Sequence, residues 1–395
     1  MPDLAPALSS PASQALPCKV AVIWIDWYAY HVVRFRGLLA AAPLAGRVCG
    51  VELVGGVGVH TGLKFREDLP ADLPVHTLMP GSSWAEAGQL RLALKLWRYL
   101  AHIDPAAVLV PGYYTLPAIA AALWARLHQR TSILMTESTA DDHTRIAWKE
   151  RAKSLLIRTL FDSAVTGGRA HQRYLEQLGF PADRIGHFYD VVDNTFLSET
   201  TRTLRQRSPA EFGLPETYFL YVGRLAEEKN IRSLLEAWIA YRETGGTWPL
   251  VLVGDGPEAQ SLRSLVAESP FVQDVYFVGH KNSRELPTFY AFAGCFVLPS
   301  SREPWGLVVN EAMAAGLPVI VSTRCGCAED LVIPSSNGYT FDPGHPTELL
   351  TRLHQIGNAS ADSLNSMQIR SAERVASYSP LNFGLEIAYL TASHL

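Results

Sequence analysis

The chain has 395 residues, of which 48% are hydrophobic and 18% are charged, so it can bury the cores of two ordinary domains. Its formal net charge of -4 argues against a general nucleic-acid-binding protein. The odd number of cysteines, five, with several in predicted strands, fits a reducing compartment.

Residues 1–17 are rich in proline, alanine and serine and carry neither a basic start nor a long apolar stretch. They are therefore expected to form a disordered tail and not a signal peptide. No apolar run reaches the roughly eighteen residues that a membrane-spanning helix needs. We expect a cytoplasmic protein, with peripheral contact to the inner face of the membrane left open.

Residues 18–200 alternate short apolar runs with amphipathic segments, which predicts a parallel sheet with right-handed crossovers. The first strand is predicted at 19–25 and is apolar almost throughout, as in a sheet that is buried on both faces. The other predicted strands are 51–54, 107–110, 132–135 and 163–165, and the predicted helices are 32–42, 84–101, 116–128, 145–161 and 169–178.

Polar side chains follow several of these strands, where open parallel sheets bind ligands. His31 follows the first strand and is either a functional group or a histidine that caps or packs against the next helix. Tyr113 and Glu137 each follow a later strand, and Glu137 opens a polar segment at 136–145. We predict that Glu137 contacts a substrate; the alternative for this segment is a solvated surface loop.

The predicted helix at 145–161 is amphipathic and basic. Cations such as Lys149 and Arg151 alternate with large apolar residues such as Trp148 and Leu155. This pattern is compatible with binding to an anionic membrane surface, and equally with a helix that packs on its own sheet.

The glycine pair Gly167-Gly168 lies between a predicted strand and a predicted helix. A second site for an anion or for an acceptor could form at such a place. A tight turn is the alternative, and we favour it.

A second domain is predicted at 201–379, after a linker rich in Ser, Thr and Arg at 197–212. Strands and helices alternate again, which predicts another parallel sheet. The predicted strands are 218–222, 250–253, 274–278, 295–298, 318–321 and 337–341, and the helices begin near 231, 306, 346, 363 and 380.

Two loops of this domain contain glycines directly after a strand, and the first of them also carries cations. Arg224 and Lys229 follow Gly223 between a strand and a helix. Arginine suits bidentate contact with phosphate oxygens, and lysine supplies a compact charge. Gly254 and Gly256 form a short Gly-x-Gly after the next strand, which lacks the full dinucleotide fingerprint.

The most informative stretch is 300–321. A helix is predicted to begin near Gly306, where free N–H groups and a partial positive charge favour a phosphate. Glu303 precedes this helix, and Glu311 lies about a turn and a half into it. Carboxylates accept hydrogen bonds from paired hydroxyls such as those of sugars and riboses. The stretch therefore predicts a site for a sugar nucleotide.

The combination of Gly223-Arg224…Lys229, Gly254-Asp255-Gly256 and Glu303-x7-Glu311 resembles the signature of the family-4 retaining glycosyltransferases, part of glycosyltransferase group 1. The resemblance implies the α/β GT-B fold, with two Rossmann-like parallel-sheet domains and a cleft between them. The acceptor would bind the domain at 18–200 and the donor the domain at 201–379, and a C-terminal helix at 380–395 would cross back to the first domain. The first domain resembles the family only in layout, since it lacks the glycine-rich loop after the first strand.

The resemblance also implies roles for individual residues. Arg224 and Lys229 would stabilise the leaving diphosphate, with Glu303 and Glu137 as further catalytic candidates. The residues expected to bind the donor are Gly223, Gly254, Gly256, His280, Lys281, Gly306, Leu307, Val308 and Glu311, and those on the acceptor side are His31 and Tyr113. No metal is expected, because the chain has no Asp-x-Asp pair and the cations would replace it.

The function implied is transfer of a hexosyl-type group, with retention, from a nucleotide-sugar donor to a glycan, lipid or small-molecule acceptor. The donor is a substrate, and no further cofactor or nucleic-acid partner is expected. Two other classes remain open. One is a GT-B epimerase or phosphorylase, and the other is a sugar-nucleotide-binding protein that has lost catalysis.

Overall fold

The computed structural model describes residues 18–56, 69–141 and 145–392. The expected disordered tail at 1–17 lies outside the described residues, and so do residues 142–144 of the polar segment. Within the described part, helices cover two separate parallel sheets. This is the α/β architecture that the alternating pattern predicts, and the prediction is confirmed.

The first sheet has seven strands and is parallel throughout. Its strands are β1 Val20–Trp24, β2 Val48–Val54, β3 Val75–Met79, β4 Ala107–Pro111, β5 Thr131–Thr136, β6 Ser163–Thr166 and β7 Ile185–Gly186. Its helices are α1 Ala29–Ala40, α2 Trp84–Ala87, α3 Gln89–Ile103, α4 Leu116–Leu127, α5 Ala147–Leu160 and α6 Arg169–Gln177. Every residue of β1 and β5 is buried, because helices pack on both faces of the sheet.

The second sheet has six strands and is also parallel. Its strands are β8 Phe219–Val222, β9 Leu250–Val253, β10 Val275–Gly279, β11 Cys295–Leu298, β12 Val319–Ser322 and β13 Gly338–Phe341. The remaining helices are α7 Asn194–Leu204, α8 Ile231–Glu243, α9 Ala259–Ala267, α10 Leu286–Phe292, α11 Leu307–Ala314, α12 Ala328–Leu331, α13 Pro346–Gly357, α14 Ala361–Val375 and α15 Pro380–Thr391.

The strand order reverses near the centre of each sheet. The order is β3-β2-β1-β4-β5-β6-β7 in the first sheet and β10-β9-β8-β11-β12-β13 in the second. The loops after β1 and β4, and those after β8 and β11, therefore run to opposite sides and leave a crevice at the carboxyl ends of the strands. The predicted site residues of both domains lie mainly at these crevices.

The structure differs from the predicted elements at two places. The helix predicted at 84–101 is divided into α2 and α3 at Gly88, whose φ of 71° is incompatible with a continuous helix. The linker predicted at 197–212 begins as helix α7, which packs against α10 and α11. Its residues Leu197 and Thr201 are buried in that contact, so α7 attaches the connection to the second sheet.

The last helix, α15, lies against α1 of the first sheet. A Cβ atom on Gly37 of α1 would come within 2.0 Å of the carbonyl oxygen of Pro380, at the start of α15. The two helices therefore touch through their backbones, and a larger residue would force them apart. This contact holds the C-terminal end of the chain on the first domain.

The cysteines differ from the expectation of a reducing compartment. Cys18 and Cys49 form a disulfide that ties the residues before β1 to β2, with Cα atoms 5.9 Å apart. Cys295, Cys325 and Cys327 are free and buried. A structural disulfide is typical of oxidising surroundings, so this pair does not fit the expectation.

Across the described residues, we find no helix that is both long and apolar enough to span a bilayer.

Candidate active site

Helix α11 begins directly after Gly306, at the carboxyl end of β11. Gly306 has a φ of 104°, in the left-handed region that favours glycine. The neighbouring Trp305 is buried, and its Nε1–H donates to Oδ1 of Asn310 at 2.9 Å, which fixes the loop against the helix. The N–H groups of Leu307 and Val308 belong to the first turn of α11, whose positive end suits an anion.

Two loops predicted to carry catalytic residues meet in an ion pair. Nζ of Lys229 bonds to Oε2 of Glu303, and the two side chains are 20% and 12% exposed. The hydroxyl of Ser300 donates to the same carboxylate oxygen at 3.3 Å. Lys229 follows β8 and Glu303 follows β11, and these strands are neighbours in the sheet. The pair therefore lies at the central crevice, beside the start of α11.

Arg224 lies in the same loop as Lys229 but is more exposed. Its guanidinium pairs with Glu228, and the Arg224 side chain is 51% exposed. Exposed ion pairs of this kind contribute little free energy, about 0–1 kcal/mol. The guanidinium can therefore turn towards an anionic ligand at small cost.

Gly254 and Gly256 lie where the main chains of two loops come into contact. A Cβ on Gly254 would lie 1.8 Å from the carbonyl oxygen of Gly223, and a Cβ on Gly256 would lie 2.3 Å from that of Leu225. The loops after β8 and β9 thus touch through their main chains. In this structure Gly254 and Gly256 support the loop that carries the cations.

Glu311 is buried, and both of its carboxylate oxygens accept hydrogen bonds from tyrosines. The hydroxyl of Tyr30 donates to Oε1 at 2.9 Å, and that of Tyr290 donates to Oε2 at 2.7 Å. Tyr30 belongs to α1, so its hydrogen bond crosses from the first domain to the second. Burial raises the pKa of Glu311, and the two hydrogen bonds partly oppose that rise. Both carboxylate oxygens are thus already engaged, and a ligand hydroxyl would use a remaining lone pair or replace one of these tyrosines.

His31 caps helix α1. Its Nδ1 accepts from the backbone N–H of Tyr28 at 3.3 Å, and its ring stacks on Trp24 with centroids 4.8 Å apart. Burial lowers the pKa of His31 to about 3, and the nearby charge of Arg34 adds to this effect. The histidine is therefore a neutral, packed group, as in the alternative that the sequence left open.

Other predicted residues lie further from the ion pair. His280 is exposed, and Lys281 pairs with Glu285 at 3.6 Å. Both follow β10, the edge strand of the second sheet, whereas the ion pair lies at the centre. In the first domain, the hydroxyl of Tyr113 donates to Ser138 at 3.2 Å.

Sequence reasoning missed a buried charged cluster in the first domain. Nη2 of Arg34 lies 2.6 Å from Oδ1 of Asp190 and 3.7 Å from Oε1 of Glu137. The guanidinium also stacks over the ring of Tyr189 at 4.0 Å. The signal that could have found it is a lone arginine in the apolar run 32–35, since a buried cation requires a partner.

This cluster faces the second domain. Nδ2 of Asn310 donates to the carbonyl oxygen of Asp190 at 3.1 Å. A Cβ on Gly167 would come within 2.3 Å of Oδ2 of Asp190, and one on Gly168 within 2.3 Å of Oδ2 of Asp330. Two carboxylates therefore approach the Gly167-Gly168 turn, which corrects the alternative of an anion site there and leaves the tight turn that we favoured.

Part of the chain matches a known family and several curated proteins. Residues 204–374 match the model described as "Glycosyl transferases group 1". The chain is 32% identical over 169 residues to the sulfoquinovosyl transferase SQD2 of Arabidopsis thaliana, covering 42% of this chain and 31% of that protein. It is 31% identical over 208 residues to the O-antigen chain mannosyltransferase B of Escherichia coli, covering 50% and 49%. The chain thus spans half or less of the length of these two relatives.

Solved structures resemble almost the whole chain. Anabaena Alr3699/HepE in complex with UDP aligns with a TM-score of 0.71 at 18% identity, over 95% of this chain and 100% of that chain. The sucrose-phosphate synthase tll1590 from Thermosynechococcus elongatus aligns with a TM-score of 0.71 at 20% identity, over 95% and 98%. At these identities the likeness concerns the fold, and the prediction of a GT-B fold is confirmed.

The arrangement around Glu311 yields a prediction for ligand binding. Replacing Glu311 with Ala is expected to weaken binding of a nucleoside diphosphate, because hydrogen bonds to the ribose hydroxyls are lost. Bonds to a charged group are worth about 1.5–3 kcal/mol, or roughly 10- to 150-fold in affinity. Calorimetry with UDP, GDP and ADP measures the effect, and Glu268→Ala, at an exposed carboxylate of the same domain, is the control. Unchanged affinity in a folded Glu311→Ala variant contradicts the ribose role.

Proposed function

Because residues 204–374 match the model of the group 1 glycosyl transferases, we propose that this chain transfers a sugar from a nucleotide-sugar donor to an acceptor hydroxyl, with retention of the anomeric configuration. The observation that carries the proposal is the Lys229–Glu303 pair at the start of α11. It places a cation, a carboxylate and a helix N-terminus together at the central crevice of the second sheet.

The donor diphosphate would bind between the β8–α8 loop and α11. Lys229, Arg224 and the first N–H groups of α11 supply positive charge from two sides. In the absence of a donor, Glu303 neutralises Lys229. A bound diphosphate would take over that role, which frees the Glu303 carboxylate to accept hydrogen bonds from sugar hydroxyls. Glu311 would accept those of the ribose.

The chemistry would depend on stabilising the leaving group. The bond between the anomeric carbon of the sugar and the diphosphate oxygen breaks, so negative charge grows on the diphosphate. The acceptor oxygen would bond to the same carbon, and its proton would pass to the departing phosphate oxygen. Fixed cations that gain strength as this charge develops lower the barrier more than they tighten the ground state. We propose that these cations replace a bridging metal and that the reaction occurs on one face of the sugar, so we assign no covalent nucleophile.

The first donors to test are suggested by the neighbours of similar fold. The structures of Anabaena HepE hold UDP in one case and UDP-glucose in another. Curated relatives include a mannosyltransferase and a sulfoquinovosyl transferase, so the sugar varies among proteins that resemble this one. A uridine diphosphate sugar is therefore the starting point, and guanosine and adenosine diphosphate sugars are the comparison.

We also propose that the first domain makes peripheral contact with an anionic membrane surface. Trp148 and Leu155 lie seven residues apart on α5 and are each 67% exposed. The exposed cations Lys149 and Arg151 flank them. Large apolar side chains interleaved with positive charges suit the interface of an anionic bilayer, where the rings enter the headgroup region and the cations meet phosphates. Leu127 of α4, which packs beside α5, is 63% exposed and widens the apolar surface.

The proposed function is tested by a donor screen on the full chain. UDP, GDP and ADP, and their glucose or mannose conjugates, are added in buffer with excess EDTA, and thermal unfolding is followed. We expect one base to raise the melting temperature, since a ligand at 100 times its Kd adds about 2.7 kcal/mol of stability.

Release of the diphosphate with and without an added acceptor then separates a transferase from an epimerase and from an inactive binding protein. Lack of both binding and turnover for every donor contradicts the proposal, and activity that requires added magnesium contradicts the metal-free mechanism.

The leaving-group account predicts the kinetics of two variants. Lys229→Ala and Arg224→Ala should each lower kcat by about 10²–10³-fold, as does loss of one donor to a transition-state charge. The KM for the donor should change less, and Lys229→Arg should restore only part of the rate because a planar fork does not reproduce an ammonium group. Arg232→Ala, at an exposed cation on α8, is the control. Steady-state kinetics on folded variants decide the matter; a large rise in KM with kcat intact would reduce both residues to simple anchors.

The membrane proposal predicts the behaviour of a double variant. Trp148→Ser with Leu155→Ser should reduce co-sedimentation with phosphatidylglycerol vesicles by at least about tenfold, because each large side chain contributes about 1.5–3 kcal/mol when fully buried. Ile369→Ser is the matched control, since Ile369 is 53% exposed on α14 of the other domain. Binding of the wild-type protein should also fall with added salt. Equal sedimentation of the double variant and the wild type contradicts this proposal.

A further inference from the structure

The charged cluster of Arg34, Asp190 and Glu137, called here the Arg34 cluster, has one exposed member. The side chains of Arg34 and Asp190 are 3% and 0% exposed, whereas that of Glu137 is 38% exposed. Arg34 comes from α1, and Glu137 directly follows β5. Arg34 and Asp190 therefore lie buried beneath the partly exposed carboxylate of Glu137.

The hydrogen bonds of Asp190 are incomplete if its carboxyl group is ionised. Oδ1 accepts from Arg34 at 2.6 Å, while the buried Oδ2 has no donor among the described residues. A buried carboxylate oxygen without a donor is costly. A proton on the carboxyl group removes the charge that makes this costly, and protonated Asp190 can donate a hydrogen bond to the neighbouring Glu137. Burial, and next the charge of Glu137, raise the pKa of Asp190 well above its usual range, although Arg34 opposes the rise.

Other titratable groups around Asp190 do not supply this proton. Tyr189 lies beside it, and burial raises the pKa of Tyr189 to about 12. The thiol of Cys327, from the segment before α12, also has its pKa raised well above the usual range by burial. Arg34 remains a cation. Asp190 is therefore the carboxyl group of this cluster to which we assign the proton.

The Arg34 cluster lies opposite the predicted donor side of the cleft. Tyr30, one turn before Arg34 on α1, donates to Glu311 of α11. Asn310 of α11 donates to the main chain of Asp190. Asp190 and α1, which carries Arg34, thus both contact the helix that begins at Gly306, and Glu137 lies beside Arg34.

We propose that Glu137 accepts a hydrogen bond from the hydroxyl group that receives the sugar, and that Arg34 and Asp190 are positioning residues for its carboxylate. This inference rests on the proposed function, and it gives the acceptor side a binding group of defined chemistry. A carboxylate fixed by a cation and by a neutral acid presents its remaining lone pairs in one direction, which suits a hydroxyl donor. The acceptor would therefore be a molecule with a free hydroxyl at the cleft, and water is its simplest representative.

The first test compares turnover with donor binding. UDP-glucose is the donor and water the acceptor, and release of UDP is measured on the full chain. Glu137→Ala should lower the turnover rate by roughly 10- to 150-fold, the equivalent of one hydrogen bond to a charged group. Glu137→Gln should restore part of the rate, since its amide oxygen still accepts. Affinity for UDP, measured by calorimetry, should stay at the wild-type value in both variants, and Glu176→Ala on α6 is the control at an exposed carboxylate.

The second test asks whether Asp190 acts as a neutral acid. Asp190→Asn reproduces the protonated form, because its amide can accept from Arg34 and donate to Glu137. We expect this variant to turn over faster than Asp190→Ala and to keep its rate as the pH rises. The wild type should lose activity at alkaline pH, since ionised Asp190 repels Glu137. Asp190→Ala should be as slow as Glu137→Ala.

The outcomes separate this inference from the proposed function. Wild-type turnover in Glu137→Ala with intact UDP binding overturns the inference alone. So does an Asp190→Asn variant that is as slow as Asp190→Ala, or one that keeps the alkaline loss of the wild type. If Asp190→Ala fails to fold, the pH profile of Asp190→Asn still decides between a neutral and an ionised Asp190. Failure of the wild type to bind or turn over any donor in the screen contradicts the proposed function instead.

Discussion

The cleft of this protein depends on one buried carboxylate, that of Glu311. Its two oxygens are held by Tyr30 from the first domain and by Tyr290 from the second. A buried carboxylate without hydrogen-bond donors is strongly unfavourable. The two hydrogen bonds therefore stabilise the contact between α1 and α11. In the proposed function, ribose hydroxyls would bind the same carboxylate. Contact between the domains and ligand binding would then share one group.

Close to this contact lies the loop after β8, which carries Arg224 and Lys229. The main chains after β8 and β9 touch at Gly223 and Gly254, which leaves no room for a side chain between them. Lys229 is held by Glu303, so its charge is fixed beside the start of α11. Such preorganisation limits the entropy lost when a ligand binds. The first domain supplies its own fixed charge, Arg34, whose partner Asp190 contacts α11 through its main chain.

The two domains differ in how far their residues can be read from sequence. In the second domain, a short apolar strand, Glu303, Gly306 and Glu311 follow one another closely, so a local pattern predicts the helix start and its carboxylates. In the first domain, the loop after β1 lacks such a pattern, and His31 turned out to cap α1. Arg34, on the same helix, forms an ion pair with Asp190, which is 156 residues away in sequence.

The sequence by itself determined the alternation of strands and helices, the two-domain parallel architecture and the start of α11, because hydrophobic periodicity and helix ends are local properties. The tertiary structure decided which groups meet. Lys229 meets Glu303 because β8 and β11 are neighbours, and Tyr30 meets Glu311 because the domains close on each other. It also decided that the polar 197–212 segment begins as a helix. Those outcomes depend on packing between distant segments, which no local pattern encodes.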